Sequence, residues 1–181
     1  MQNQKLDQTT KYEGPVFDVE SIKMKLPDGR SRVYDLVKIQ NAVTILPVDA
    51  EGCIYFVRQY RIGAAKEILE LPAGKIEVGE QALATAEREI REETGFAARE
   101  MRLVGKFFMS PGYSDEFMHV FLATGLYESP LAPDQDEFLN LVKLTPDEIP
   151  QMVASGELED GKTLASLYLA LPFMNSINLQ R

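Results

Sequence analysis

The chain has 181 residues, of which 45% are hydrophobic and 26% are charged, and its formal net charge is −9. This composition is typical of a globular protein, and the single cysteine excludes an internal disulfide and a cysteine-based metal cluster. The acidic balance argues against a nucleic-acid partner, which requires a basic face, and no apolar run approaches the ~18 residues of a membrane span. With no signal-peptide pattern at its start, the protein is expected in the cytoplasm, without a membrane partner.

The first 40 residues are predicted to form a small β lobe. Residues 1–14 are polar and resemble an edge strand or a loose segment. Residues 15–40 alternate weakly around Pro27-Asp28-Gly29-Arg30, a strong turn signal, and this pattern predicts a β-hairpin. We therefore expect an N-terminal β-hairpin lobe over residues 1–40 and the main domain over residues 41–181.

The middle of the chain predicts strands followed by one clear helix. Residues 42–48 and 53–61 form a second hairpin, in which Cys53 is expected to be a small core residue, and residues 67–71 form a shorter strand. Residues 80–94 then show helical periodicity, and Gly95 is well placed to end that helix. Its apolar stripe is predicted to consist of Leu83, Ala86 and Ile90.

The remainder predicts further strands and two more helices. Strands are expected near residues 101–109, 116–123 and 138–144. Thr145 is a plausible N-cap for a helix that begins at Pro146, and a last helix is expected over residues 162–174. Strands interspersed with three helices predict the α/β class, with a mixed β-sheet sandwiched between helices.

A cluster of glutamates on the first helix is the most informative feature. Glu89, Glu92 and Glu93 lie within an arc of about 100°, and two of them are spaced i and i+4 at the border of the apolar stripe. Like charges at that spacing destabilise a helix unless a cation lies between them, and oxygen ligands suit Mg²⁺ or Mn²⁺. The alternative is an acidic helix face that is merely solvated, as most charge runs are.

The spacing of this segment resembles the Nudix box. It contains Gly74, five residues, Glu80, seven residues, Arg88-Glu89, the aliphatic Ile90, one residue, Glu92-Glu93, one residue, Gly95 and then the apolar Phe96. The resemblance implies the Nudix fold, a catalytic domain over residues 41–181 and a loop–helix–loop metal site. In that site Glu89 and Glu93 would be direct ligands, joined by the Ala73 carbonyl and by Glu92 as a ligand or outer partner.

Flanking residues resemble the branch of the family that cleaves ADP-ribose and nucleoside diphosphate sugars. The resemblance to this branch lies in the segments Val57 to Arg61 and Glu67 to Gly74, and in a proline, Pro111, about fifteen residues past the box. In this branch Arg61 would contact the diphosphate, Glu70 would face the base or ribose, and Pro111 and Gly112 would contact the substrate. Tyr34 would stack on the nucleobase, often from a partner subunit, although it could also be a cross-strand packing residue.

The branch also supplies a glutamate as catalytic base from a loop before a late strand. Glu137 fits best, Asp134 and Asp136 are rivals, and Glu92 and Glu93 complete the expected catalytic set. The expected function is metal-dependent hydrolysis of ADP-ribose to AMP and ribose 5-phosphate, or of a related nucleoside diphosphate sugar, by a homodimer. Two alternatives are a hydrolase of adenine dinucleotides and a non-catalytic Nudix-fold sensor of ADP-ribose.

Overall fold

The computed structural model describes residues 2–132 and 138–178, with side chains as far as residue 174. The chain divides into two compact units. The first contains residues 1–41 and 107–118, and the second contains residues 42–106 and 119–181. Residues 107–118 join the first unit through backbone hydrogen bonds between Val37 and the segment Tyr113–Asp115, a contact that no local pattern predicts.

The first unit is built on a three-stranded antiparallel sheet. Its strands are β1 (Gln4–Glu13), β2 (Asp18–Lys25) and β3 (Ser31–Lys38), in the order β1-β2-β3. The predicted hairpin is therefore present, and Gly29 closes its turn with a φ of 88°, which glycine adopts without a Cβ clash. All ten residues of β1 are exposed, as an edge strand without a covering layer requires.

Within its described residues, the second unit combines two sheets with three helices, which confirms the predicted α/β class. One sheet has the order β7-β4-β9-β8 and consists of Ala73–Lys75, Ala42–Pro47, Phe117–Glu128 and Phe96–Phe108, with the last two running into the first unit. The other is antiparallel, has the order β10-β5-β6, and consists of Asn140–Leu144, Ile54–Arg61 and Lys66–Glu70. The helices are α1 (Ala82–Thr94), α2 (Glu148–Ser155) and α3 (Gly161–Asn178).

An apolar core holds α1 against the four-stranded sheet. Its buried members lie on β4, α1 and β9: Val43, Ile45, Ala86, Ile90, Phe121 and Ala123. Burial of each valine, isoleucine or phenylalanine side chain in this core contributes roughly 1.5–3 kcal/mol. The prediction was wrong for Leu83, which is 45% exposed, whereas Cys53 is buried as expected. The first turn of α1 instead buries Thr85, whose hydroxyl donates to the Gln81 carbonyl.

The two later helices are present, with shifted boundaries. α2 begins at Glu148, so Thr145 is not its N-cap. The Glu148 carboxylate instead accepts hydrogen bonds from the Thr145 amide and hydroxyl, which folds residues 145–148 into a turn before the helix. Helix α3 begins one residue earlier than expected and continues past Pro172. Among the described parts of the chain, no helix is long and apolar enough to cross a bilayer.

Candidate active site

Helix α1 presents its glutamates at the edge of the core. Glu89 and Glu93 are only 7% and 6% exposed, one turn apart on the side that packs against β4 and β7. The neighbouring Ala86 and Ile90 are fully apolar and buried, and they hold this face of the helix inward. Buried carboxylates are costly unless they are paired or coordinate a cation, so this placement excludes the alternative of a merely solvated face.

The Arg88 guanidinium connects three carboxylates, those of Glu80, Glu89 and Glu92. Its Nη1 donates to Glu89 Oε1 at 2.7 Å and to Glu92 Oε2 at 2.8 Å, while Nε and Nη2 donate to Glu80 at 3.2 and 3.1 Å. The hydrogen bond from Arg88 lowers the pKa of Glu80 from 4.5 to about 2, against a smaller opposing effect of burial. The hydrogen bond to Glu80 is also the main cause that raises the pKa of Arg88, which stays cationic.

The loop before the helix approaches the Glu89 carboxylate so closely that only glycine fits at position 74. A Cβ on Gly74 would lie 1.8 Å from Glu89 Oε1 and 1.9 Å from its carboxyl carbon. One residue earlier, the Ala73 amide donates to Glu93 Oε2 at 3.1 Å. The backbone of residues 73 and 74 and the two buried glutamates therefore form one polar cradle.

This cradle has the donor chemistry of a hard-cation site. Carboxylates and a backbone carbonyl are the ligands that Mg²⁺ and Mn²⁺ prefer, and the place of a Cβ is taken by the Glu89 carboxylate. Among residues 2–132 and 138–178, no three acidic, histidine or cysteine side chains converge in a ligand geometry. In this arrangement the single Arg88 cation pairs with Glu80, Glu89 and Glu92 and leaves an excess of negative charge, so the residues present fit a divalent metal in composition.

A second charged cluster surrounds Glu70, whose side chain is 1% exposed. Arg61 binds it with both arms of its fork, Nε to Oε1 at 2.7 Å and Nη2 to Oε2 at 3.0 Å. Lys162 forms a further ion pair with Oε2. Burial alone would lower the pKa of Arg61, but its hydrogen bond to Glu70 and the charges of Glu70, Glu93 and Asp160 raise it.

Glu70, which the resemblance expects to face the base or ribose, is enclosed in this cluster. Its carboxylate is enclosed by Arg61 and Lys162, so it presents little surface to a ligand. The sequence reasoning missed Lys162 altogether. Its only local signal is Asp160-Gly161-Lys162-Thr163, a helix start whose aspartate caps the following backbone, and nothing in that pattern points to a residue 92 positions away.

Of the remaining predicted site residues, the three that the structure describes belong to the first unit. Tyr34 belongs to the first unit, where it pairs across the strands with Ile22 and packs its ring under the Arg32 guanidinium at 5.0 Å. Pro111 and Gly112 are exposed in the turn between Ser110 and Ser114 of the same unit. Glu137 and its rivals Asp134 and Asp136 lie outside the described residues.

Comparison with known proteins decides the family. The model of the NUDIX domain matches residues 38–167, which include the cradle, α1 and the Glu70 cluster. The chain belongs to the Nudix family. The family match and 39% identity, over most of the chain, to a relative named as an ADP-ribose pyrophosphatase make it a pyrophosphohydrolase.

This Nudix chain is similar to two curated relatives and to one solved structure. It is 39% identical over 163 residues to the ADP-ribose pyrophosphatase of Bacillus subtilis (strain 168), with 88% of each chain covered. It is 37% identical over 163 residues to the methanol dehydrogenase activator of Bacillus methanolicus, again with 88% of each covered. A crystal structure of an ADP compounds hydrolase superposes with a TM-score of 0.89 at 25% identity, covering 97% of this chain and 96% of that one.

Proposed function

We propose that this protein hydrolyses the diphosphate linkage of ADP-ribose, giving AMP and ribose 5-phosphate, or that of a related nucleoside diphosphate sugar. The observation that carries the proposal is the cradle in which Glu89 and Glu93 are buried against the backbone of residues 73 and 74. The names of the relatives support the substrate class, because 39% identity extends over most of the chain.

The proposed cofactor is Mg²⁺ or Mn²⁺, held by Glu89, Glu93, the Ala73 carbonyl and Glu92 as a ligand or outer partner. When bound, the metal neutralises charge on the diphosphate and lowers the pKa of a bound water, which is the chemistry that phosphorus–oxygen cleavage needs. The chain orients its own ligands, since Arg88 holds Glu89 and Glu92 from one side and Gly74 lets the backbone approach from the other.

Substrate contacts are proposed for residues of the Glu70 cluster and of the first unit. Arg61 is proposed to bind the diphosphate, because a guanidinium donates five N–H groups in a fixed fork that matches phosphate oxygens. Glu70 is proposed to act by holding Arg61, in place of the direct contact with base or ribose that the resemblance implies. Tyr34, Pro111 and Gly112 as substrate contacts, and Glu137 as the base, rest on the resemblance.

The proposed assembly is a homodimer in which the N-terminal lobe, residues 1–40, makes the contact and residues 41–181 form the catalytic domain. The exposed apolar side chains of the first unit support a contact there, with Leu6 at 46%, Tyr12 at 51% and Val33 at 58% exposure. The cytoplasmic location stays a prediction.

Coupled phosphate release tests the proposal directly. Turnover would be measured with Mg²⁺, Mn²⁺ or EDTA across ADP-ribose, nucleotide sugars and adenine dinucleotides, for the wild type, Glu93→Gln and the control Glu87→Gln. Glu87 lies on the exposed side of α1, so its variant should match the wild type. Metal-dependent turnover that falls at least about a hundredfold in Glu93→Gln, roughly 2.7 kcal/mol of transition-state stabilisation, is expected.

The same assay separates the alternatives. Preferred turnover of a dinucleotide would move the substrate but keep the chemistry. Tight binding of ADP-ribose with no turnover of any diphosphate, in any metal, would overturn the enzyme and favour the sensor.

A second candidate function, activation of a methanol dehydrogenase, is favoured by the 37% identity to the activator of Bacillus methanolicus. Adding this chain to a purified methanol dehydrogenase tests it. A rise in dehydrogenase rate that is absent with Glu93→Gln would show that activation depends on hydrolysis, and an unchanged rate with the wild type would remove this candidate.

A further inference from the structure

The start of helix α3 contacts the Glu70 cluster through a buried chain of polar groups. Lys162 is 9% exposed at its side chain, and Thr163 is fully buried. Neither residue belongs to the Nudix box, and both are about 90 positions away in the chain from the strand end that they contact.

The geometry of this chain of contacts is continuous. Lys162 Nζ lies between Glu70 Oε2 and Asp160 Oδ2, with the latter at 2.9 Å. Asp160 Oδ2 also accepts the Thr163 hydroxyl at 2.6 Å and its amide at 3.0 Å. The Thr163 hydroxyl oxygen in turn accepts the Leu71 amide at 2.8 Å, so the backbone after Glu70 is tied to the same helix start.

The charges in this cluster balance only when Lys162 is present. Glu70 and Asp160 carry two negative charges, and Arg61 and Lys162 carry two positive ones. Glu70 is almost completely buried, so loss of one cation would leave a desolvated carboxylate with a single partner. Arg61 would then be drawn further toward Glu70, or Glu70 would move toward solvent.

The geometry points to Lys162 as a positioning residue: we propose that it holds Glu70, and that Glu70 in turn fixes the Arg61 guanidinium for the diphosphate. This inference rests on the proposed function, because Arg61 needs a diphosphate to bind. Two of the five N–H groups of Arg61 bind Glu70, and the side chain is 43% exposed, so its other N–H groups are available to a ligand.

Direct contact between Lys162 and a substrate phosphate is the competing reading of the same residue. The placement of its ammonium group argues against that reading. Nζ lies between two carboxylates on a side chain that is 9% exposed, whereas Arg61 is more than four times as exposed. Lys162 therefore acts through Glu70 and Arg61, and removing it should matter only while Arg61 is there to be positioned.

A double-mutant cycle on kcat/KM tests this dependence. The variants are Lys162→Met, Arg61→Ala and the double variant. Each is assayed on ADP-ribose with Mg²⁺, at a temperature well below the melting temperature of every variant. Lys162→Met is expected to lower kcat/KM on the order of tenfold in the wild-type background and by less than about twofold beside Arg61→Ala, as coupled residues do. Lys143→Met is the matched control, because Lys143 also pairs with a mostly buried carboxylate, that of Asp49, but lies beside the opposite end of β5 from Arg61 and should leave kcat/KM unchanged.

The outcomes distinguish the possibilities. Equal losses from Lys162→Met in both backgrounds would overturn the positioning role in favour of a direct contact or a general structural effect. A wild-type kcat/KM in Lys162→Met would also overturn the positioning role, because Lys162 would then have no effect on turnover. Absence of turnover in the wild type would instead contradict the proposed function.

A second readout is independent of turnover, in case Arg61→Ala is too slow to assay. The Arg61 Nε–H group donates to Glu70 Oε1, with 2.7 Å between Nε and Oε1, and its proton can be followed by nitrogen-15 NMR in the full chain. Its exchange with water should be at least severalfold faster in Lys162→Met than in Lys143→Met. Equal exchange rates in the two variants would show that Lys162 does not hold the Glu70–Arg61 pair.

Discussion

Replacing Gly74 by alanine should separate the fold of this protein from its proposed metal site. The added Cβ would lie 1.8 Å from Glu89 Oε1, whereas ordinary van der Waals contact begins at 3.4 Å. The carboxylate must therefore move by about 1.6 Å (3.4 − 1.8), or the backbone of residue 74 must withdraw by a similar amount. Either movement takes Glu89 out of the cradle.

The expected magnitudes follow from the contacts that are lost. A displaced Glu89 gives up its charged hydrogen bond from Arg88, which costs about 1.5–3 kcal/mol, and Arg88 keeps Glu80 and Glu92 as partners. Disturbing even an outer partner of a metal ligand typically costs about 10–100-fold in affinity or activity, so displacing a direct ligand should cost at least about a hundredfold in kcat/KM. A modest loss of stability should accompany a large loss of activity.

The assay combines turnover with a metal titration and a thermal melt. Gly74→Ala should remain folded, need a higher Mg²⁺ concentration for half-maximal rate, and show the reduced kcat/KM even at saturating metal. Gly63→Ala is the matched control, because a Cβ there meets nothing within 4 Å. Turnover within about threefold of the wild type, at an unchanged metal midpoint, would refute the reasoning that Glu89 must lie against residue 74.

Three further predictions concern stability. The folded pKa of Glu80, about 2, is below its ordinary 4.5, so its pairing with Arg88 stabilises the protein fully above pH 4.5 and is lost as pH falls through 2. In urea unfolding, the stability gap between wild type and Glu80→Gln should shrink from pH 6 to pH 2.5, and a constant gap would contradict this. Ile90→Ala should cost about 2–5 kcal/mol and Leu83→Ala far less, since the first side chain is 1% and the second 45% exposed; equal shifts of the urea midpoint would disprove the core assignment. Gly95→Ala should lower the unfolding free energy by about 1–2 kcal/mol, because its φ of 76° disfavours any Cβ, and an unchanged melting temperature would argue against that cap.

Local patterns in the sequence predicted most of the elements. Alternation and turn residues located the hairpin of β2 and β3, and helical spacing with Gly95 located α1 to within two residues at its start. The predictions that failed concern short elements or residues whose burial depends on their tertiary neighbours. β7 has only three residues, Leu83 points away from the core despite its apolar side chain, and Thr145 is not the N-cap of α2.

What the sequence determined by itself is the set of groups that depends on one helix and the turn before it. The spacing of Glu89, Glu92 and Glu93 places them on one face of any α-helix, and Gly74 marks a close backbone approach, because both follow from local geometry. Family resemblance in the same segment supplied the class of reaction.

Only the tertiary structure decided which charges meet across the chain. Lys162 reaches Glu70 over 92 positions, and Lys38 reaches Asp115 over 77, through strands and helices whose packing no local pattern specifies. Burial is also decided there, since Glu70 on β6 is 1% exposed beside Lys162 of α3, a residue far from it in the chain. Ion pairs of this kind depend on three-dimensional distance and on desolvation, and neither quantity is a property of sequence separation.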